Sequence, residues 1–222
     1  GLTGETSVAS YSGIMMYERC PKSYEHKYIL KTPDLRPKSE AMARGTTIHN
    51  ALENFLLKKQ DHLHHEIQAK HGARYRAIRD TCKVWPERKF AFTDAWEECD
   101  FDASDAAIRG VIDLLYQDAN DTVHVHEFKT GKEYEEHAQQ KALYGLVTLL
   151  LFPSQTSVEV TGVYLDLNKY IPATFNRSLM FAYKDTWEKR LAKLQLPIFN
   201  TRPGFYCKWC AYSKKNGGPC EF

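Results

Sequence analysis

The stretch from Trp85 to Leu167 changes its hydrophobic period three times, and that order of periods narrows the folds open to the chain more than any other feature. Short runs with strand character come first, at Glu87 to Phe92, Ala107 to Tyr116 and Thr122 to Lys129, the last two separated by the turn-like Gln117 to Asp121. Glu135 to Leu151 then shows helical periodicity, and Val158 to Leu167 returns to strand character. An antiparallel meander followed by a helix and a further strand implies an α/β domain with a mixed sheet. Upstream, Ser12 to Arg19 and Ser23 to Leu30 read as helical pieces interrupted by Pro21. From Ala41 to Lys59, Ile48, Leu52, Phe55 and Leu56 recur at the period of an amphipathic helix with His49 beside its buried stripe. Asp61 to Lys83 reads as a polar helix whose His62, His64, His65 and His71 could suggest a metal site, but without paired spacing to other ligands a solvated face is the favoured reading. Asp185 with Glu188 is expected to cap a final helix running to about Leu196.

The chain has 222 residues, 43% apolar and 26% charged, enough to bury a core without covalent help. One domain is expected: a helical segment over 1–40, a core over 41–198 and a cysteine-bearing segment over 199–222. The longest apolar run, Leu149 to Phe152, falls far short of the roughly 20 residues that span a bilayer. Gly1 to Glu5 shows no basic patch leading into an apolar stretch, so no membrane and a cytoplasmic location are expected. The net charge of +2 is unevenly spread: Arg19 to Arg44 holds seven Lys/Arg against three Asp/Glu, whereas Trp96 to Asp105 holds five acids and no base. A basic N-terminal third beside an acidic patch is compatible with phosphate binding next to a metal.

Strand periodicity puts Val123, Val125, Glu127 and Lys129 on one face. If Tyr116 faces Thr122 across the turn, Asp113 lies opposite Val125 and diagonal to Glu127, about 7–8 Å away, a gap that a shared divalent cation can bridge. A plain ion pair between Glu127 and Lys129 is the competing reading. Cys207, Cys210 and Cys220 form C-x2-C-x9-C among glycines, and Cys20 is the best candidate for a fourth ligand, joining the two chain ends. Cys82 and Cys99 read as ordinary structural cysteines.

The arrangement Gly110-Val111-Ile112-Asp113, fourteen residues before Glu127-Phe128-Lys129-Thr130-Gly131, resembles the PD-(D/E)XK nuclease superfamily and, within it, the RecB-like exonuclease branch. Arg44 to Glu53 is similar to that branch's histidine motif, Gln140 to Tyr144 to its following motif, and Tyr11-Ser12, Tyr17 to Pro21 and Cys207 to Cys210 to its terminal segments. The resemblance implies a restriction-endonuclease-like core whose Asp113, Glu127, His49 and the Phe128 carbonyl hold Mg²⁺ or Mn²⁺. It makes Lys129 the residue that orients or deprotonates the attacking water. Gln140 and Tyr144 would face the DNA backbone, and Glu87, at the start of its strand, would be an accessory ligand or a group that supports the ligands from behind. For His49 and Tyr144, ordinary core packing is the alternative.

The same resemblance implies a 4Fe-4S cluster on Cys20, Cys207, Cys210 and Cys220, with zinc on the same thiolates as the alternative. The nine residues between Cys210 and Cys220 exceed the usual spacer, so Lys214 to Gly218 must loop out. The implied activity is a metal-dependent DNA exonuclease acting on single strands or ends in recombination, repair, phage DNA processing or CRISPR spacer acquisition. A DNA-binding module with a nuclease-like fold and no cleavage is the alternative, and a zinc-ribbon RNA-binding protein a further rival. The chain has no G-x-x-x-x-G-K-[ST] loop, so ATP-driven unwinding would come from a helicase partner, and an integrase or recombination complex is a compatible associate. Tyr17, Tyr24, Tyr28, Phe205, Tyr206 and Trp209, set among Lys and Arg, could stack on unpaired bases or pack in the core.

Overall fold

The structure, a computed structural model, describes residues 8–195 and 198–222. Gly1 to Glu5 and the expected helix end at Leu196 lie outside the described residues. The chain begins with α1 (Tyr11–Arg19), capped by the Ser10 hydroxyl, and α2 (Pro21–Tyr24), which continues as a π-helical turn over Glu25–Ile29. Two longer helices follow, α3 (Glu40–Leu56) and α4 (His65–Thr81). Then come β1 (Lys83–Phe92), β2 (Ile108–Gln117), β3 (Val123–Lys129), α5 (Glu136–Leu151), β4 (Ser157–Tyr164), β5 (Lys169–Asn176) and α6 (Met180–Gln195).

The five strands form one sheet in sequential order, antiparallel except for the parallel pair β3 and β4, which α5 connects. This is the expected mixed sheet in an α/β fold. Its two faces bury separate clusters. On one side Ile112, Leu115, Val123, Val125, Val158 and Val160 pack with Leu143, Leu146 and Val147 of α5 and Trp187 of α6. On the other, Leu114, Tyr116, Phe128 and Val163 pack with Ile48, Leu52 and Phe55 of α3 and Ile67 and Tyr75 of α4. Central β3 is buried almost throughout, as a strand covered on both faces must be.

Several local expectations need correction. β1 starts at Lys83 and runs through Trp85 and Pro86, because it is an edge strand in which a missing N–H is tolerated. Glu87 therefore sits inside β1, not at its start. The β2–β3 register pairs Tyr116 with His124, not with Thr122, a shift of two residues that keeps Asp113 on the same face. β5, which carries Pro172, is the opposite edge strand and was not foreseen. α6 begins at Met180, so Asp185 lies within it and pairs with Lys189 at i,i+4 instead of capping. His71 is fully buried, between the Tyr170 hydroxyl and the Leu165 carbonyl, while His65 is exposed.

Candidate active site

The site forms where regular strand pairing gives out. In β2 and β1, pairing runs from Lys83↔Gln117 to Pro86↔Leu114, skips Glu87 and Asp113, and resumes at Arg88↔Ile112. Across that break even-numbered residues change sides: Leu114 and Tyr116 lie in one core cluster, Ile108 and Ile112 in the other. Glu87 marks the switch with φ 50°, a left-handed conformation that is costly for a residue other than glycine. On the other edge of β2 the ladder ends at Leu114↔His126, and side chains replace it. The Asp113 N–H donates to Glu127 Oε1 at 3.0 Å, and the Phe128 N–H donates to Asp113 Oδ2 at 2.8 Å. Two acidic side chains thus interleave with backbone amides at the end of a strand pair.

Both carboxyls are removed from bulk water, Glu127 to 3% exposure. Burial, with the Asp113 charge beside it, pushes the Glu127 carboxyl well above the usual range, and Lys129 offsets part of this. Burial likewise raises Glu87 to about 7, helped by the charges of Asp113 and Glu53. Glu53 was not singled out from the sequence. Its only signal was its position one helical turn after His49 on α3.

α3 delivers His49 because Ile48, Leu52 and Phe55 anchor its apolar stripe against the sheet. Nδ1 of His49 donates to the Gly45 carbonyl at 2.9 Å, and Nε2 faces the Phe128 carbonyl at 2.9 Å and Asp113 Oδ2 at 3.5 Å. With oxygen acceptors at both nitrogens, the doubly protonated ring is favoured. The hydrogen bond to Asp113 chiefly, opposed by burial, raises its pKa to about 9. His49 and Glu127 both contact Asp113, His49 at its Oδ2 and Glu127 at its N–H. Among the described residues, the one trio with ligand atoms all within 4.8 Å is His64, His65 and Glu66, whose carboxylate already pairs with Arg44 at 2.5 Å.

Lys129, two residues beyond Glu127, donates to Gln140 Oε1 on α5 at 2.6 Å. Tyr144, one turn further, is 6% exposed. Its hydroxyl donates to the Val111 carbonyl at 3.2 Å and its ring meets Phe90 edge-on, so it supports the floor of the site from within.

All four cysteines expected to act together line one cavity of about 310 Å³ between the N-terminal and C-terminal segments. The Lys22 N–H donates to the Asn200 carbonyl and Arg202 donates to the Glu18 carbonyl, tying these segments together. The Lys214–Asn216 turn and Gly217 loop out, and the Cys220 N–H returns to the Tyr212 carbonyl at 2.9 Å. Among the described residues no three of the four sulfurs lie within 4.8 Å of one another. Cys82 and Cys99 stand away from this cavity. No described helix is long and apolar enough to cross a membrane.

Thirty-one solved protein chains match this structure. One is SSO0001, with a TM-score of 0.50 and 14% identity, covering 100% of this chain and 88% of that one. Another is a protein from Eubacterium rectale named "Putative exonuclease", with a TM-score of 0.46 and 10% identity, covering 93% and 97%. At such identities the likeness concerns the fold alone. No curated protein sequence matches the chain. The sequence does match the PD-(D/E)XK nuclease superfamily over residues 8–214, a span that takes in α3, the interleaved carboxylates, Lys129 and three of the four cavity cysteines. On that match the chain belongs to the PD-(D/E)XK nuclease superfamily.

Proposed function

We propose that this nuclease-family chain is a Mg²⁺- or Mn²⁺-dependent DNA exonuclease of the RecB-like kind, acting on single strands or DNA ends. The observation carrying this reading is the pair Asp113 and Glu127 across the break in the β2–β3 ladder, with Lys129 on the same strand and His49 beside them. The donor set suits the ion: carboxylates and a carbonyl are hard oxygen ligands, and one imidazole is compatible with Mn²⁺. The crowding that raises Glu127 and Glu87 is relieved by a cation.

Asp113, Glu127, His49 and the Phe128 carbonyl would hold the metal, with Glu87 and Glu53 as accessory carboxylates. When bound, it supplies activation of water and neutralisation of phosphate charge. Lys129 orients the attacking water and offsets charge on the phosphoryl oxygens as the bond to the 3′ oxygen breaks. Gln140 holds the Lys129 ammonium in place and, at the edge of the site, positions the scissile phosphate. Tyr144 acts beneath, fixing α5 against β2.

The second metal site of this reading is a 4Fe-4S cluster on Cys20, Cys207, Cys210 and Cys220. The four thiols fit it in kind and in their shared cavity. Zinc on the same four thiolates is the alternative occupant. The role of either occupant is to hold residues 8–40 against residues 198–222.

The test is a cleavage time course on end-labelled single-stranded and duplex DNA with each metal, beside Glu127→Ala purified identically. Metal-dependent release of label that the variant abolishes supports the reading, and the end released first gives the polarity. No cleavage by a preparation with a filled cysteine site overturns it in favour of a DNA-binding module.

A further inference from the structure

We infer that Phe205, Tyr206 and Trp209 form a stacking platform for the unpaired bases of single-stranded DNA, leading into the site around Lys129. This rests on the proposed nuclease reading for what happens at the end of that path, but not for the binding itself. The three rings sit on a short 3₁₀ turn, Phe205–Trp209, and are 62%, 44% and 56% exposed, although large aromatic rings usually seek burial. They form one group: Phe205 lies 4.1 Å from Tyr206 and 5.4 Å from Trp209 between ring centroids.

Cations accompany each end of the group. The Arg19 guanidinium lies 4.7 Å from the Tyr206 centroid and the Lys208 ammonium 4.0 Å from that of Trp209. Residues 199–222 carry Arg202, Lys208, Lys214 and Lys215 against Glu221 alone. Exposed rings interleaved with cations complement a strand with flat bases and an anionic backbone. Arg19 is already paired with Glu136, but an apolar partner would leave the Lys208 charge over Trp209 uncompensated.

The platform is continuous with the candidate active site. Arg19, over Tyr206, also donates to Glu136 Oε1 at 2.9 Å at the start of α5. Gln140 follows Glu136 by one helical turn on the same face and receives Lys129. Arg19 and Glu136 therefore place the rings one helical turn of α5 away from Gln140, which holds the residue proposed to orient the water. This route admits a single strand to the site with its bases stacked on the rings, a fit that duplex DNA, whose bases already stack on each other, cannot make.

The test uses the full chain with its cysteine metal in place, in an Asp113→Asn background so that no strand is cut. Binding of labelled oligo-dT, an abasic oligonucleotide of equal length and a duplex is followed by anisotropy. Oligo-dT is expected to bind at least about tenfold more tightly than the abasic strand. Trp209→Ala should weaken oligo-dT by about five- to a hundredfold, leave the other two unchanged, and be largely rescued by Trp209→Phe. Equal affinity for oligo-dT and the abasic strand overturns the platform, as does retention of the base preference by Trp209→Ala. If truncation empties the cysteine site, Trp209→Leu and the abasic comparison decide the matter. Base-dependent binding through these rings by a chain that cuts nothing with Mn²⁺ or Mg²⁺ sinks the nuclease reading and leaves the platform standing.

Discussion

Lys129 on β3 and Gln140 on α5 meet at 2.6 Å, so the ammonium beside the paired carboxylates has a fixed neutral acceptor. Its position is set by a helix that is itself buried on the sheet. Removing the ammonium should cost more than freeing it. Lys129→Ala is expected to lower single-turnover cleavage by about 10²–10⁴, the usual range for a positioned proton-transfer group. Gln140→Ala should lower it by about tenfold, the order of one charge-assisted hydrogen bond. Equal losses in the two variants would assign Gln140 the larger role.

Proton and metal should compete at the site. The His49 pKa is raised from 6.5 to about 9 and that of Glu87 from 4.5 to about 7. Both raised values mean that the metal-free folded state holds more protons than the unfolded chain. Its stability should therefore fall with rising pH, through about 4.5 to 7 for Glu87 and about 6.5 to 9 for His49. Mn²⁺ needs the deprotonated ligands, so the melting-temperature gain it gives should grow with pH up to about 9. Thermal melts with and without Mn²⁺ across that window check this. A gain independent of pH would remove His49 from the ligand set.

Much of the architecture was legible because period alone distinguishes β3, with its Val123, Val125 and Glu127, from α3, with its Ile48, Leu52 and Phe55. Register was not. The centre of the β2–β3 turn lies one residue further along the chain than composition suggested, which shifts the pairing by two residues, and the carboxylates end the ladder by taking Asp113 and Phe128 amides themselves. No local pattern announces that substitution. The first half of edge strand β1 and the whole of edge strand β5 were obscured by Pro86 and Pro172, which edges tolerate and central strands do not. Glu53 escaped notice because its relation to Glu87 is made by α3 lying against β1, a tertiary fact.

The packing of α5 on β5 gives a stability test remote from the chemistry. A Cβ at Gly145 would lie 2.3 Å from the Phe175 ring, and the ring is held in turn by Tyr183 at 5.7 Å. Alanine gains about 1 kcal/mol in intrinsic helix propensity. Overpacking costs typically about 1–3 kcal/mol, so Gly145→Ala should be net destabilising, by up to about 2 kcal/mol. Denaturant unfolding reads this directly. Stabilisation would show that Phe175 swings away freely.

The return of Cys220 to the cavity depends on Gly218. A Cβ there would meet the backbone carbon and oxygen of Tyr212 at 2.3 Å, and backbone cannot rotate aside as a side chain can. Gly218 also donates its N–H to the Ser213 carbonyl at 2.9 Å, closing the loop that brings Cys220 back to Tyr212. Gly218→Ala should therefore move Cys220 out of reach and lower the content of the metal proposed for the four cysteines, with loosening of residues 8–40. Gly204→Ala is the matched control, since nothing lies within 4 Å of its Cβ and its φ of −178° suits any residue. Iron and zinc content by elemental analysis, with the visible absorbance of an iron–sulfur chromophore, reads the outcome. Full metal content in Gly218→Ala would show that the site closes without Cys220, and a matching loss in Cys20→Ser would then leave Cys20, Cys207 and Cys210 as the ligands that matter.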